Sequence, residues 1–245
     1  MANNVTEVDL FIPCFIDQIY PETAKNMVKI LEKLGIEVHY NPNQTCCGQI
    51  AFNSGDWDAA KKLGEKFIND FGGSDRLVVG PSASCTGYVR NSYNELFHNS
   101  GLHLESKALQ KRIYEFSDFL VNVLGITDLG ATFEHKVTYH DSCAAQREYG
   151  IKEEPRKLLS KVKGLELVEM KDTHVCCGFG GTFSVKFEPI STAMAQQKVE
   201  NALETEAEYI VSTDSSCLMH QYGYIKKHNL PIKVIHLVDV LASGL

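Results

Sequence analysis

Short apolar runs alternate with amphipathic segments along the whole chain. The apolar run 8–13 predicts a buried strand, and residues 21–34 place apolar side chains at helical spacing up to Gly35, a residue typical of helix ends. The alternating segment 36–40 predicts a second strand, followed by a loop that extends to residue 53. This order of strand, helix and strand is typical of parallel sheets, because parallel strands need a crossover connection.

The same alternation predicts the remaining elements and an α/β fold with helices on the faces of parallel sheets. Further strands are expected at 77–79, 113–116, 136–139, 165–170, 209–211 and 234–236. Further helices are expected at 57–68, near 88–93, and at 117–124, 153–159, 189–203 and 238–241. Asp56 is the expected cap of the first of these helices. The helix at 189–203 is expected to be buried through Met194, Val199 and Leu203, and Trp57 and the other aromatic side chains are expected in the core.

The eight cysteines form one pattern that occurs twice. A single cysteine, a Cys-Cys-Gly triplet and a last cysteine are separated by gaps of 31 and 37 residues in the first copy and 32 and 39 in the second. The copies are Cys14, Cys46, Cys47, Gly48 and Cys85, and Cys143, Cys176, Cys177, Gly178 and Cys217. Because the strands and helices repeat with the cysteines, we predict two Rossmann-like half-domains, 1–130 and 131–245, related by a pseudo-two-fold axis.

Each single cysteine or pair is expected beyond the carboxyl end of a predicted strand. Ligand sites of open parallel sheets form at that edge, so thiols far apart in sequence should converge into two separate clusters. We call Cys14, Cys46, Cys47 and Cys85 the first thiol set, and Cys143, Cys176, Cys177 and Cys217 the second thiol set. Four thiolates repel one another unless a cation binds them, and a bound metal deprotonates its thiol ligands. The pattern therefore favours a metal site in each half.

Several interpretations of the cysteines stay open at this point. Buried structural thiols would not predict a duplicated spacing, whereas zinc prefers four nitrogen or sulfur ligands and each half offers four thiols. An adjacent cysteine pair suits different irons of one cluster better than one tetrahedral ion, because neighbouring side chains diverge. The glycine-rich segment 176–181 lacks the spacing of a dinucleotide-binding loop, and the short cysteine spacing of ferredoxins is absent.

Composition and charge narrow the class of partner. The 245 residues are 44% hydrophobic, and a formal net charge of −7 without a cluster of lysine and arginine argues against nucleic acid and anionic membrane. The chain has no apolar stretch of about 18 residues, so no membrane span is expected, and residues 1–4 do not begin a signal peptide. We expect a cytoplasmic protein, in a reducing compartment where regular cysteines indicate metal or catalysis.

Three histidines flank the second thiol set, and the first set has no such neighbours. His140, His174 and His220 each stand two or three residues from a cysteine. Hydrogen bonding to sulfur is the favoured role, with direct ligation and an ordinary, partly exposed histidine as alternatives.

Four further polar residues are candidates for a functional role, and each also has a commoner structural role. Asp141 and Asp214 are expected to cap helices rather than to bind metal. Arg90 and Arg147 are candidates for binding a substrate carboxylate through a bidentate pair, although a solvated surface arginine is the commoner case.

The duplicated cysteine pattern resembles the cysteine-rich CCG domain. That domain occurs in one of the subunits of heterodisulfide reductase and in the C-terminal parts of anaerobic glycerol-3-phosphate and glycolate oxidase iron–sulfur subunits. Three segments around the second thiol set make the chain similar to the lactate-utilization protein A family, also called the LldE type, over nearly its whole length. The segments are Thr138-Tyr139-His140-Asp141-Ser142-Cys143, His174-Val175-Cys176-Cys177-Gly178-Phe179-Gly180-Gly181 and Asp214-Ser215-Ser216-Cys217-Leu218-Met219-His220.

The resemblance implies a cytoplasmic iron–sulfur redox subunit of a multi-protein system that oxidises L-lactate to pyruvate. It implies two partners, a ferredoxin-like iron–sulfur protein and one further subunit. In heterodisulfide reductase the pattern binds a 4Fe–4S cluster of the non-cubane type through five cysteines. Here Ser82 and Asp214 stand where the fifth cysteine of each copy would be, so each site has four cysteines and an oxygen ligand is a candidate.

Two other functions are left open by this departure from five cysteines. One is a stand-alone thiol/disulfide reductase of the heterodisulfide type. The other is a zinc-binding structural module without redox activity, with zinc as the alternative cofactor in one or both sites. No catalytic residue is assigned.

Overall fold

The computed structural model describes residues 5–245 and has an α/β fold with two similar halves. Residues 1–4, on which the prediction about a signal peptide rests, lie outside this range. The strands of the first half are β1 (Glu7–Leu10), β2 (Glu37–Tyr40), β3 (Leu77–Gly80) and β4 (Ile113–Glu115). Those of the second half are β5 (Lys136–Tyr139), β6 (Glu166–Leu167), β7 (Tyr209–Ser212) and β8 (Lys233–His236).

Each half contains a four-stranded sheet in which all the strands are parallel. The first sheet has the order β2-β1-β3-β4 and the second the order β6-β5-β7-β8, which is the same order one half later. Helices connect the strands, as parallel pairing requires. The predicted fold class is therefore confirmed, and the boundary between residues 130 and 131 stays a prediction.

Helices and two π-helical turns cover the sheets. The helices of the first half are α1 (Cys14–Ile19), α2 (Pro21–Lys33), α3 (Gln49–Asn53), α4 (Trp57–Phe71), α5 (Ala83–Phe97), α6 (His103–Arg112) and α7 (Phe116–Asp118). Those of the second half are α8 (Glu153–Leu159), α9 (Phe183–Lys186), α10 (Glu188–Leu203), α11 (Ser215–Lys227) and α12 (Leu237–Leu241). The π-helical turns are Phe119–Val123 and Ala145–Tyr149.

The core has a central layer that both halves share. Val8 of β1 and Val137 of β5 belong to one apolar cluster, together with buried residues of α2, α8 and α12. On the outer face of the first sheet lies an aromatic cluster that includes Phe11, and on the outer face of the second sheet a smaller one that includes Val199. The shared layer fixes the two sheets relative to each other, because a large apolar area would be exposed if they separated.

Several predicted elements differ from the structure. The strand expected at 165–170 has only two residues in ladder pairing, since it is an edge strand with a single neighbour. The expected loop before residue 53 contains α3, and α6 was not predicted because its sequence is polar on most sides. Helix α10 is buried through small and polar side chains as well as Val199, and Met194 is only half-buried.

The prediction that the aromatic side chains lie in the core is wrong for four of them. Trp57, Tyr40, Phe187 and Tyr222 are about half exposed, with Trp57 at 50%. Trp57 is the first residue of α4, so one ring face meets Phe52 at 4.9 Å between centroids while the rest faces outward. Asp56, just before it, accepts a hydrogen bond from the Ala59 amide and caps α4 as predicted.

Candidate metal centres

The first thiol set is assembled from the ends of three neighbouring strands. Cys14 begins α1 after β1, Cys46 and Cys47 lie in the loop between β2 and α3, and Cys85 lies in the first turn of α5 after β3. The thiols of this set lie in a row, in which Cys46 neighbours Cys14 and Cys47, and Cys47 neighbours Cys85. Residues separated by whole crossover helices thus meet at one sheet edge.

The second thiol set repeats this arrangement. Cys143 begins a helical turn after β5, Cys176 and Cys177 lie in the loop after β6, and Cys217 lies in the first turn of α11 after β7. The Sγ atoms of Cys143 and Cys176 are 3.7 Å apart, and Cys177 contacts both Cys176 and Cys217. The row of contacts therefore has the same order in both halves.

The first cysteine of each adjacent pair has a strongly lowered pKa. The hydrogen bond with Cys14 lowers the pKa of Cys46 to about 3, and the one with Cys143 lowers that of Cys176 to about 2. The backbone amides of Gly48 and Gly178 also donate to Cys46 and Cys176, each at 3.4 Å. Each set therefore already stabilises at least one thiolate without a metal.

The same contacts raise the pKa of the neighbouring thiols. The contact with Cys46 raises the pKa of Cys14 and of Cys47, and Cys176 does the same for Cys143. Two adjacent thiolates in a buried place repel each other, so a proton stays on one of them. A bound cation removes this penalty, which fits the donor set to a metal ion or cluster.

One cavity of about 130 Å³ joins the two thiol sets. All eight cysteines line it, together with serines, glycines and the aromatic rings of Phe15 and Phe179, which meet edge to face at 5.5 Å. The thiols form two rows, and the assignment of a separate metal site to each row stays a prediction. Both rows face a common space between the halves, because the carboxyl edges of the two sheets point toward each other.

Ser82 and Asp214, which occupy the positions of the missing fifth cysteines, contact each other. The Ser82 hydroxyl donates to the Asp214 carboxylate at 3.0 Å, and both residues are buried. The same carboxylate accepts hydrogen bonds from the amide and hydroxyl of Ser84 and from the hydroxyl of Ser142. Asp214 therefore links the first half to the second beneath the cavity, and its role as a metal ligand stays a prediction.

The prediction that Asp141 and Asp214 cap helices is wrong for both side chains. Asp214 is the N-cap residue of α11, but its side chain accepts no hydrogen bond from that helix, because serine hydroxyls and the Ser84 amide in the first turn of α5 take its oxygens. Asp141 instead pairs with Arg156 at 2.7 Å, and Arg156 also binds Glu169. This ion pair fixes the segment that leads from β5 to Cys143.

The three flanking histidines have different surroundings. His140 is fully buried, and one of its ring nitrogens lies within 4.8 Å of the Sγ atoms of Cys177 and Cys217. A ring nitrogen of His220 is 3.1 Å from the Ser191 hydroxyl, and its ring lies 6.0 Å from that of Phe179. His174 is exposed, and its carbonyl accepts a hydrogen bond from Arg147. Only for His140 does the described part of the chain show a ring nitrogen among the thiols.

Neither candidate arginine lines the central cavity. Arg90 packs over the ring of Tyr149 at 4.1 Å and donates to the Ile113 carbonyl, so it is held within the fold. Arg147 donates to the His174 carbonyl at 3.3 Å. The structure gives both arginines protein partners, including the Asp118 carboxylate 3.7 Å from Arg90, and supplies no observation for binding of a substrate carboxylate.

Lys198 of α10 is a feature of the second site that sequence reasoning missed. Its side chain is buried, and its ammonium group donates to the carbonyls of Asp172 and Thr173 in the loop that leads to Cys176. Burial lowers its pKa, and the nearby charges of Cys177 and Cys176 oppose that shift. Comparing the two halves of the sequence could have identified Lys198, because the equivalent residue of the first half is the apolar Phe67.

The equivalence of Lys198 and Phe67 follows from the glycine that ends each Cys-Cys-Gly triplet. That glycine approaches the backbone carbonyl of Ala60 in the first half and of Ser191 in the second. Phe67 and Lys198 each stand seven residues beyond that contact in α4 and α10. A cation thus replaces an apolar ring beside the second thiol set.

The fold and the two thiol sets define a protein built from two cysteine-rich domains. A sequence model of the CCG cysteine-rich domain matches residues 8–90 and again residues 137–221. The chain is 44% identical over 237 residues to lactate utilization protein A of Oceanobacillus iheyensis, with 96% of each chain covered. It is 44% identical to that of Bacillus subtilis, with 97% of this chain and 99% of the relative covered. The chain therefore belongs to the lactate utilization protein A family.

A solved structure also shares the fold. The crystal structure of a hypothetical protein from Helicobacter pylori matches with a TM-score of 0.67 at 11% sequence identity, covering 99% of this chain and 50% of that chain. At this identity the likeness supports the arrangement of strands and helices alone. Among the described residues, no helix combines the length and the apolar character needed to cross a membrane.

Proposed function

We propose that this chain is an iron–sulfur redox subunit of a multi-protein system that oxidises L-lactate to pyruvate. The observation that carries the proposal is the pair of four-thiol rows facing one cavity. The named role of relatives that match along almost the whole chain supplies the substrate. Oxidation of lactate to pyruvate releases two electrons and two protons, so the system needs groups that accept electrons.

Iron–sulfur clusters are the electron carriers that cysteine thiolates bind. Each row offers four thiols, with one thiolate already stabilised in the first cysteine of its adjacent pair. We assign Cys14, Cys46, Cys47 and Cys85 to one cluster and Cys143, Cys176, Cys177 and Cys217 to the other. A 4Fe–4S cluster of the non-cubane type is the proposed cofactor, and Ser82 is the oxygen candidate that lines the cavity.

The partners and the compartment belong to the same proposal. A ferredoxin-like iron–sulfur protein is the proposed electron partner, and a further subunit completes the system. The cytoplasm is the proposed location, because its reducing conditions keep thiols available for metal. The lactate-binding group lies outside the two thiol rows in this proposal, since neither candidate arginine faces the cavity.

A specific observation favours a second candidate function, reduction of a disulfide substrate. The shared cavity places thiols of both halves around one space, where a disulfide would meet an acidic thiol such as Cys176. This candidate predicts turnover of a disulfide by the isolated chain with an electron donor, and loss of that turnover in Cys176→Ser. Ser160→Ala, at an exposed serine outside the cavity, is the matched control.

Metal analysis of anaerobically purified protein tests the main proposal. We expect iron and acid-labile sulfide in the isolated chain, together with a paramagnetic signal in one oxidation state. Mixing with the reduced or oxidised iron–sulfur partner should change that signal as electrons transfer. Stoichiometric zinc that resists iron reconstitution, without sulfide, would overturn the proposal in favour of a structural zinc module.

A further inference from the structure

The His140 side chain is buried among thiols and lacks a complete set of hydrogen-bond partners. Its exposed fraction is 0%, and apart from its contact with the Cys217 thiol neither ring nitrogen meets a donor or acceptor at hydrogen-bonding geometry within residues 5–245. A buried polar group left without a partner destabilises the folded protein, because it has lost its hydrogen bonds to water. Native structures rarely keep such a group unless a water, an ion or a cofactor satisfies it.

The backbone holds the imidazole in this position. His140 follows β5 directly, and its amide donates to the Val211 carbonyl of β7 at 2.8 Å. The next residue, Asp141, is fixed by its ion pair with Arg156. One ring nitrogen therefore stays within 4.8 Å of the Sγ atoms of Cys177 and Cys217.

The chemistry of the ring shows which partner is missing. A neutral imidazole has one donor nitrogen and one acceptor nitrogen. A nearby thiolate can accept from the donor nitrogen, and the contact with His140 contributes to the lowered pKa of Cys217, after the larger effect of Cys177. The acceptor nitrogen needs a donor or a cation, and the described neighbours supply neither. Iron and zinc both accept imidazole nitrogen as a ligand.

We propose that His140 is a fifth protein ligand, through one ring nitrogen, of the metal group held by the second thiol set. The inference rests on the proposed function, because it requires a metal group at that set. It makes the two centres different in kind, since Phe11 occupies the equivalent position in the first half. The equivalence is clear from the backbone, where the Phe11 amide donates to Val79 of β3 as the His140 amide does to Val211 of β7.

The other histidines of the second half do not compete for this role. The ring of His220 is engaged with the Ser191 hydroxyl, and His174 is exposed. Lys198, although buried nearby, is a cation whose ammonium group binds two carbonyls and has no free lone pair.

Pulsed electron-spin-resonance spectroscopy of protein labelled with ¹⁵N in its histidine side chains tests the inference. The sample is the anaerobic, iron-loaded chain in a paramagnetic oxidation state. We expect one imidazole nitrogen with the strong coupling of a direct iron–nitrogen bond. The coupling should vanish in His140→Phe, which copies the first half, and in His140→Cys, which keeps a ligand. It should persist in His220→Phe.

The outcomes separate this inference from the proposed function. Iron and sulfide at wild-type content with only weak nitrogen couplings would overturn the ligand role of His140 and leave the proposed function intact. Strong coupling that persists in both His140 variants would also overturn it. Absence of iron and sulfide in the wild-type chain would overturn both, since no iron-bound nitrogen could then exist.

Discussion

At four pairs of equivalent positions the first thiol set has aromatic or aliphatic neighbours where the second has polar ones. The backbone of the two halves is closely alike, down to the 3.4 Å contact between the glycine amide and the first thiol of each pair. The equivalent pairs are Phe11 and His140, Phe67 and Lys198, Tyr88 and His220, and Val89 and Gln221. The duplicated scaffold therefore fixes where sulfur lies, and the neighbouring side chains decide how each sulfur site behaves.

This difference affects how readily each centre would accept an electron. Reduction adds negative charge, which a nearby cation stabilises and an apolar ring does not. The buried ammonium of Lys198 and the imidazole of His140 lie beside the second set, while Phe11 and Phe67 pack edge to face at 4.8 Å beside the first. We infer that the second centre has the higher reduction potential.

The largest expected effect comes from removing one buried thiol of either set. Cys47→Ser and Cys177→Ser should each lower iron and sulfide to half of the wild-type content, because each row holds its own cluster. The measurement is iron and sulfide per chain after anaerobic reconstitution, with Ser160→Ala as control. If either variant emptied both sites, the two rows would hold one shared group in the cavity, and the comparison of two centres would fail.

A buried acid in the first half predicts that the folding stability depends on pH in a way that its counterpart in the second half does not share. Burial raises the pKa of Glu115 at the end of β4 to about 8, from 4.5, although it accepts hydrogen bonds from the Ser117 and Asp118 amides. The unfolded chain loses this proton at lower pH than the folded chain. Its contribution to stability is therefore complete below pH 4.5 and is lost as the pH rises to about 8.

Glu115→Gln should remove this loss of stability, which is on the order of 5 kcal/mol at about 1.4 kcal/mol per pKa unit. The measurement is urea unfolding of both proteins at about pH 5, 7 and 9. His236, the equivalent residue after β8, behaves oppositely, because burial lowers its pKa and its contribution is lost as the pH falls. Equal slopes for wild type and Glu115→Gln would show that Glu115 ionises normally in the fold.

The glycines of the two triplets should differ in their tolerance of a side chain. Gly48 and Gly178 have φ of 94° and 92°, so alanine is strained at both, by about 1–2 kcal/mol. A Cβ at Gly178 would also lie 2.6 Å from the Ser191 carbonyl oxygen, whereas one at Gly48 would meet nothing closer than 3.2 Å. Gly178→Ala should therefore lose about 1–3 kcal/mol more in urea unfolding than Gly48→Ala.

Gly223→Ala is the matched control for both glycine variants. It lies in α11 with open space where the added methyl group would point, so alanine should be neutral or stabilise by about 0.5–1 kcal/mol. Equal losses for Gly48→Ala and Gly178→Ala would show that the second loop relaxes and that the two halves are alike at this point.

The smallest expected effect is an electrostatic shift of the midpoint potential of the second centre. Lys198→Met should lower the midpoint potential of the second centre by about 40 mV, from a charge interaction of about 1 kcal/mol, and leave the first centre unchanged. Lys198→Arg keeps the charge and should restore most of the potential, whereas a purely structural role would not predict rescue. A shift of the same size in both centres would contradict the assignment of Lys198 to the second one.

Much of the fold was predictable because its signals are local. The alternation of apolar runs and amphipathic segments located most strands and helices, and the Cys-Cys-Gly spacing marked the repeat. The misses have local causes too. Helix α6 is polar on most sides, β6 has ladder pairing over only two residues, and Trp57 begins a helix at the surface, so hydrophobicity alone misplaced them.

The cysteines of the candidate site could be predicted from the sequence, but the side chains around them could not. Cysteine spacing indicated which sulfurs meet, but the orphaned ring of His140 and the burial of Lys198 depend on which face of a strand or helix packs inward. A residue-by-residue alignment of the two halves would have identified both residues as unusual, because His140 and Lys198 replace phenylalanines.

The sequence by itself determined the α/β class, the duplication and the membership of two four-thiol sets, since each follows from periodicity or spacing along the chain. Only the tertiary structure decided that the sets share one cavity and that Ser82 donates to Asp214, 132 residues away. The reason is physical: contacts between two packed sheets depend on their relative orientation, which the shared apolar layer fixes and no local pattern encodes.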